Sequence, residues 1–330
     1  MEFRKLGNTG IQVSKLALGG VFVSTRGGPY EQAKQAIGRA LELGINTIDT
    51  APTYRNSEEV LGRALEELGA LDRPLVMSTK LGGRPQPFDP RNSDHLKRSV
   101  EESLRLLKRD HIDILMIHEP GRPGQYDWWS DWDTFNGPVL DVLDELKRDG
   151  TIRATGLGGT TAYTLAHIIR TGRFDVVLTA FNYSLLWREA EWEILPAARD
   201  MGVGIIAGSP LQNGALARRY DDEIEGGARW LSLPRRLQYK ALYAFLDELD
   251  MPLAELALRF VISNPDITCT LTGARAEWEV EANFAAVEKG PLSEDVLTRL
   301  DEIAAMVPFR PFDEHYQLPF DREYKGPGPA

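Results

Sequence analysis

Four residues of proton-handling types stand at like places along the chain. Asp49 ends one short apolar run and Tyr54 follows five residues on; Lys80 ends the next run, and His118 the one after that. A phenol titrates near ~10, so it is a poor donor or base at neutral pH until its surroundings tune it. A neighbouring ammonium such as Lys80 favours the phenolate. An acid such as Asp49 keeps that ammonium charged and oriented, and an imidazole such as His118 can fix a substrate oxygen by hydrogen bonding. Taken singly, each has a plainer reading: a strand-end ion pair for Asp49 or Lys80, a packed aromatic with a wet hydroxyl for Tyr54, a satisfied buried histidine for His118. Their conjunction on three consecutive runs is what points to a proton-transfer site.

The runs themselves predict how the four are held. Eight short segments rich in β-branched residues read as buried strands: 15–20, 46–50, 75–80, 112–118, 154–158, 176–180, 203–208 and 268–273. Side chains alternate along a strand, so Ile112, Ile114, Met116 and His118 share one face, as do Val76, Ser78 and Lys80. Between the runs lie segments with helical spacing. Leu96, Val100, Leu104 and Leu107 form one stripe; Val60, Leu61, Ala64, Leu65 and Leu68 form another, with Ser57 expected as its N-cap and Glu58 and Glu59 in the acidic first turn. Val139, Leu140, Val142, Leu143 and Leu146 give a third, stopped by Gly150. Further helices are expected over 32–43, 161–170, 189–201, 253–263 and 278–288. Strict strand–helix alternation calls for parallel pairing, and eight units predict a closed (β/α)8 TIM barrel, an α/β fold. A doubly wound sheet should show a G-x-G-x-x-G fingerprint after its first strand, and Gly19-Gly20-Val21 does not supply one.

Three stretches fall outside the eightfold rhythm of what reads as one domain over 1–330. Residues 3–13 predict a hairpin around Asn8-Thr9-Gly10, suited to closing the barrel bottom. Residues 212–240 read as an irregular insert after the seventh strand. From 292 to 330 a C-terminal extension carries one helix and then an aromatic, proline-rich tail whose last residues are expected to be disordered.

The 330 residues carry 38 basic and 49 acidic side chains, a net charge of −11. That surface disfavours nucleic acid and anionic membranes as partners. The one cysteine, Cys269, excludes an internal disulfide framework and a cysteine metal cluster. The charged start Met1-Glu2-Phe3-Arg4-Lys5 lacks a secretory pattern, and no apolar run reaches the roughly 20 residues of a membrane helix. A cytoplasmic protein acting on a small molecule is the expectation, with the oligomeric state open.

With these residues in view, the chain resembles the aldo-keto reductases over roughly residues 2–307. The motifs that carry the resemblance are Leu6-Gly7-Asn8-Thr9-Gly10, the long stretch from Gly44 to Tyr54 (GINTIDTAPTY), Ser78-Thr79-Lys80, Ile112-Asp113-Ile114-Leu115-Met116-Ile117-His118, and Gly150-Thr151-Ile152-Arg153-Ala154-Thr155-Gly156. The resemblance implies a catalytic tetrad of Asp49, Tyr54, Lys80 and His118. It also implies reversible hydride transfer between a nicotinamide cofactor and a carbonyl or alcohol carbon, with Tyr54 as general acid or base and no metal. A looser similarity is to sugar 1-dehydrogenases.

The same resemblance implies cofactor contacts at Gly20, Asp49, Gly158, Asn182, Ser209, Leu211, Gly273, Arg275, Glu279 and Asn283. Several depart from the family pattern: Gly158-Gly159 stand where many relatives carry Ser-Asn, Ala180 where a Gln is common, and Gly208 where an aromatic often stacks. Glu279 aligns where NADPH-preferring relatives place a cation, which tilts the expectation to NAD over NADP, with Arg275 as a counterweight. For the substrate, Glu119 replaces a common aromatic next to His118. The loop Tyr126-Asp127-Trp128-Trp129-Ser130-Asp131-Trp132 has two readings, a platform for sugar rings or a cover over the next helix. Tyr54, His118, Glu119, Trp128, Trp129 and Trp187 are the expected substrate contacts. Trp230 in the insert and Phe309, Phe312 and Tyr316 in the tail are candidates for covering the opening. Two other functions stay in view: a cofactor-binding regulatory subunit with little turnover, and a glycoside hydrolase using Asp49 and Glu119 about 5–9.5 Å apart, which leaves Tyr54 and Lys80 unexplained.

Overall fold

The computed structural model describes residues 1–228, 230–310 and 320–321. Two short strands, β1 (Phe3–Lys5) and β2 (Gln12–Ser14), pair antiparallel with Phe3 opposite Ser14. Eight more follow: β3 (Leu16–Gly19), β4 (Thr47–Asp49), β5 (Val76–Leu81), β6 (Ile112–His118), β7 (Ile152–Gly159), β8 (Val176–Ala180), β9 (Gly204–Gly208) and β10 (Cys269–Gly273). All eight pair in parallel with their neighbours, and β10 returns to β3 to close a barrel. Closure leaves no free sheet edge, and helices cover the outside.

The inner faces of the strands build the barrel's own core. Val76, Ile114, Met116, Ala154, Val176, Leu178, Ile206 and Cys269 fill it, joined from the hairpin by Leu6, Ile11 and Val13. The hairpin therefore seals the amino end of the barrel. Its tip touches the start of β9: the Asn8 amide donates to the Gly202 carbonyl at 3.0 Å. Gly7 has φ +51°, and a Cβ there would fall 2.3 Å from the Gly204 nitrogen, so only glycine lets the tip seat.

Several local expectations change. Asn56, not Ser57, precedes the helix Ser57–Glu67. Ser57 is fully buried inside its first turn, where its hydroxyl donates to the Gly20 carbonyl (2.7 Å) and accepts from the Thr50 hydroxyl (2.8 Å). The helix expected over 189–201 is two, Glu189–Trp192 and Ile194–Met201, broken at Glu193. Pro196 explains the break, because in a continuous helix its ring would meet the Trp192 carbonyl; near the start of the second helix its missing N–H is harmless. The insert is mostly ordered: a short helix, Asp221–Gly226, precedes the long helix Leu233–Leu249. Ser232 caps the latter by accepting from the Arg235 amide, and Pro234 sits in its first turn. One more helix, Glu294–Ala305, carries the chain into the C-terminal extension.

Phe320 of the C-terminal extension packs on the insert. Phe320 is buried, its ring stacked on Tyr220 (4.3 Å) and edge-on to Trp230 (5.0 Å) and Tyr239 (5.4 Å). Arg310 donates to the Phe181 carbonyl (2.9 Å) and to Glu189 (3.0 Å), while its guanidinium lies 4.2 Å from the Trp187 ring centroid. Phe309 is exposed against Trp192; Phe312 and Tyr316 lie outside the described residues. No helix among the described residues is long and apolar enough to cross a membrane.

Candidate active site

Strand alternation delivers the tetrad to one place. Asp49, Lys80 and His118 are the last or nearly last residues of β4, β5 and β6, so all three emerge at the carboxyl rim. Tyr54 reaches it from the turn between β4 and the next helix. Lys80 is 2% exposed, and its ammonium donates to Asp49 Oδ2 at 2.6 Å and to the Thr50 carbonyl at 2.8 Å. Asp49 Oδ1 accepts from the Ser78 hydroxyl at 2.8 Å. A buried charge needs this much pairing. The ammonium lies 4.9 Å from the Tyr54 ring centroid, and the Tyr54 and His118 rings meet edge to face at 5.8 Å.

The room for Lys80 comes from a neighbouring strand. Gly158 lies opposite His118 in the β6–β7 register, and a Cβ at Gly158 would sit 3.1 Å from Lys80 Cε. The glycine pair that replaces the family's Ser-Asn therefore belongs to β7 itself. Gly158 makes space for the lysine stem rather than presenting a side chain to a cofactor.

The electrostatics sort the four into distinct protonation states. Burial alone would push the Lys80 ammonium down, but Asp49 and Tyr54 together carry it above its ordinary value, so it stays charged. Tyr54 also ends above its ordinary value: burial raises it most, Lys80 opposes by charge and hydrogen bonding, and Asp49 and Glu119 add to the rise. The expectation that Lys80 would leave the phenol below its usual range is corrected. Lys80 pulls in that direction and burial outweighs it, so the hydroxyl holds its proton at neutral pH. His118 is buried, and burial and the Lys80 charge hold it down to about 3, which makes it a neutral imidazole. Its Nδ1 is 3.4 Å from the Thr53 hydroxyl.

Glu119 turns at the rim with φ +50°. Its carboxylate accepts from the Thr160 hydroxyl (2.9 Å) and amide (3.2 Å) and pairs with Arg122 (3.3 Å). Burial raises it above the ordinary range, against the pull of Thr160 and Arg122.

Trp128 and Trp129 are fully buried in the core between barrel and helices. Their indole N–H groups donate to the His118 carbonyl (2.9 Å) and the Pro120 carbonyl (2.8 Å). A ring with no exposed face cannot stack on a sugar, so Trp128 and Trp129 are packing residues. Trp187 is likewise 2% exposed, beneath Arg310. Asn182 is buried and donates to the Thr179 hydroxyl at 3.0 Å.

The rim from β9 round to β3 carries the residues expected to hold a dinucleotide. After β9, Ser209, Gln212 and Asn213 all take positive φ. The Gln212 and Gly214 amides donate to the Ser209 and Leu211 carbonyls, both at 2.9 Å, so this turn is closed largely on itself. Beyond β10, Arg275 is exposed, its guanidinium 4.9 Å from the Phe22 ring centroid. That ring lies over Gly273, where a Cβ would be 2.4 Å away. Glu279 is turned back onto its own loop, accepting from the Arg275 amide at 2.6 Å. Asn283 is buried below, and Gly20 is packed against Asp49 and Ser57 with no space for a side chain. The exposed Arg275 guanidinium is the group here whose chemistry suits the phosphates of an anionic dinucleotide. Among the described residues, no group of three or more His, Cys, Asp or Glu is arranged to hold a metal ion.

A profile described as the aldo/keto reductase family matches residues 15–305, across the whole barrel and the site just described. The chain belongs to this family. An aldo-keto reductase from Bacillus halodurans, solved in its holo form, superposes with a TM-score of 0.75 at 29% identity, covering 92% of this chain and 96% of that one. L-galactose dehydrogenase of Arabidopsis thaliana is 28% identical over 92% of this chain and 94% of its own length. An NADH-specific methylglyoxal reductase of Escherichia coli is 31% identical over 91% and 97%. This aldo-keto reductase is thus an NAD(P)-dependent oxidoreductase acting on carbonyl substrates.

Sequence reasoning gave no site role to Thr53, Ser78, Thr160 or Phe22. Thr53 and Ser78 had a usable signal: one adjoins Tyr54, and the other is two residues before Lys80 on the same strand face. Thr160 and Phe22 act across strands and had none.

Proposed function

We propose that this aldo-keto reductase moves a hydride reversibly between a nicotinamide dinucleotide and the carbonyl or alcohol carbon of a small polyhydroxylated, sugar-like molecule, with Tyr54 moving the proton. The carrying observation is the buried Lys80 ammonium, clamped by Asp49 and facing a protonated phenol beside a neutral imidazole. The reduced cofactor, when bound, supplies two electrons and a hydrogen to the carbonyl carbon. As negative charge grows on the carbonyl oxygen, the Tyr54 hydroxyl gives it a proton, and Lys80 stabilises the phenolate left behind. His118, uncharged, donates an N–H to the same oxygen without competing as an acid. In the alcohol-oxidising direction Tyr54 must first be a phenolate, which Lys80 favours. Asp49 takes part by holding Lys80 charged and in place.

The polyhydroxylated substrate is supported by Glu119, a carboxylate held at the rim by Thr160 and Arg122, and by the likeness to a sugar dehydrogenase. NAD is preferred to NADP. Glu279 sets a negative charge beside the adenosine end, and the likeness to an NADH-specific enzyme agrees; Arg275 is the opposing charge. Following absorbance at 340 nm with each dinucleotide, over aldoses and simple carbonyls, tests the whole reading. Tyr54→Phe should lower kcat by about 10²–10⁴-fold with dinucleotide affinity unchanged; near-full activity in that variant rules out the proton role. A strong affinity preference for NADPH overturns the cofactor assignment.

A further inference from the structure

The loops that leave β5 and β6 enclose a cleft of about 480 Å³ at the carboxyl rim, and nothing described so far uses it. Its walls include Phe88 and Tyr126, edge to face at 5.5 Å, and the exposed amides of Gln86 and Gln125. It connects to the tetrad through two residues. Gly83 lines the cleft, and a Cβ on it would lie 2.7 Å from the Thr53 methyl and 3.6 Å from the Tyr126 hydroxyl. Thr53 in turn touches His118. The cleft therefore lies two contacts from His118, with the Thr53 methyl and the Tyr126 hydroxyl packed between them.

The lining says what such a molecule would be. Arg91 is committed to Asp127, by an ion pair and a 3.1 Å bond to its carbonyl, and to the Trp129 carbonyl at 2.8 Å. Asp89 accepts from the Arg91 amide at 2.9 Å. Two carboxylates against one occupied guanidinium repel an anion. Amides and carboxylates suit hydroxyl donors, and aromatic faces suit the C–H surfaces of a sugar ring. We propose that the cleft is a subsite for the distal, neutral glycosyl part of an elongated substrate. This rests on the sugar-like reading of the active site. Binding energy gained there would favour long substrates over short ones at the chemical step.

Two measurements test it. Rates with D-glyceraldehyde and with maltose are compared in the wild type, Tyr126→Ala and Gln86→Trp, the last at an exposed position that fills the cleft. Both variants should lose about tenfold in kcat/KM for maltose and stay within twofold for glyceraldehyde. An equal loss on both substrates, or none on either, overturns the subsite. Trehalose, which has no reducing end, is titrated calorimetrically into the same proteins, so this arm needs no turnover. Heat of binding to the wild type that disappears in Gln86→Trp supports the cleft even if neither aldehyde is reduced, an outcome that would sink the redox reading alone. No binding of trehalose to the wild type, with an unchanged maltose preference, sinks the subsite and leaves the redox reading standing.

Discussion

Lys80 is the residue whose removal separates structure from chemistry. Lys80→Met would strand the buried Asp49 carboxylate, and breaking such a pair typically costs about 3–5 kcal/mol. The double variant Asp49→Asn/Lys80→Met should recover most of that stability in urea unfolding, yet not the activity. Any residual alcohol oxidation in Lys80→Met should need a higher pH than in the wild type, since the phenol loses the one neighbour pulling its pKa down. His118 gives a second, independent pH signature. Its folded pKa is about 3 against an ordinary 6.5, so below pH 6.5 the unfolded chain takes up a proton that the native chain refuses. Stability should fall as pH drops from about 6.5 toward 3, and His118→Asn should flatten that stretch of a Tm-against-pH plot. An unchanged slope would mean the imidazole is not buried neutral. At this scale the gathering of these four side chains was legible, because three fell on consecutive strand ends and Tyr54 just beyond the first of them. The net sign of the Tyr54 shift was not, because burial cannot be read from spacing.

Strands and loops explain where residue types misled. Three tryptophans in five positions suggested a binding platform, yet Trp128 and Trp129 hold the backbone just past β6 by donating to the His118 and Pro120 carbonyls. Sequence density marks large apolar side chains; it does not say which way a loop turns them. Ser57 shows the reverse: a good capping residue sits one position inside the helix, where its hydroxyl donates to the carbonyl of Gly20, just past β3 and far back in the chain. Gly158 carries the sharpest test of element packing. Gly158→Ala puts a methyl against the Lys80 stem and should cost roughly 1–3 kcal/mol by overpacking. It should also lower kcat, because the ammonium must shift relative to Tyr54. Thermal unfolding with steady-state rates checks both, and a variant with native stability and native kcat would contradict the packing role.

The barrel as a whole was the most legible level, since strand–helix alternation is a local pattern repeated eight times. The insert was the least. Its long helix, Leu233–Leu249, begins with Ser232 and Pro234, a start signal masked by the two glycines just before it. The seat of Phe320 on that insert is a contact across some 80–100 residues that no local pattern announces. Phe320→Ala empties the space between Tyr220, Trp230 and Tyr239, and losing a buried phenylalanine typically costs about 3–5 kcal/mol. The expected readout is local: amide hydrogen exchange should quicken over residues 220–246 while the barrel strands keep their protection. Uniform quickening would show that the tail supports the whole fold instead. One last consequence comes from β10. Cys269 faces the sealed barrel interior, and burial holds its thiol far above the usual range, so it has neither access nor thiolate character. Sulfhydryl reagents should therefore find no target on the folded protein, and an engineered surface cysteine could carry a probe at one chosen position without first deleting a native one.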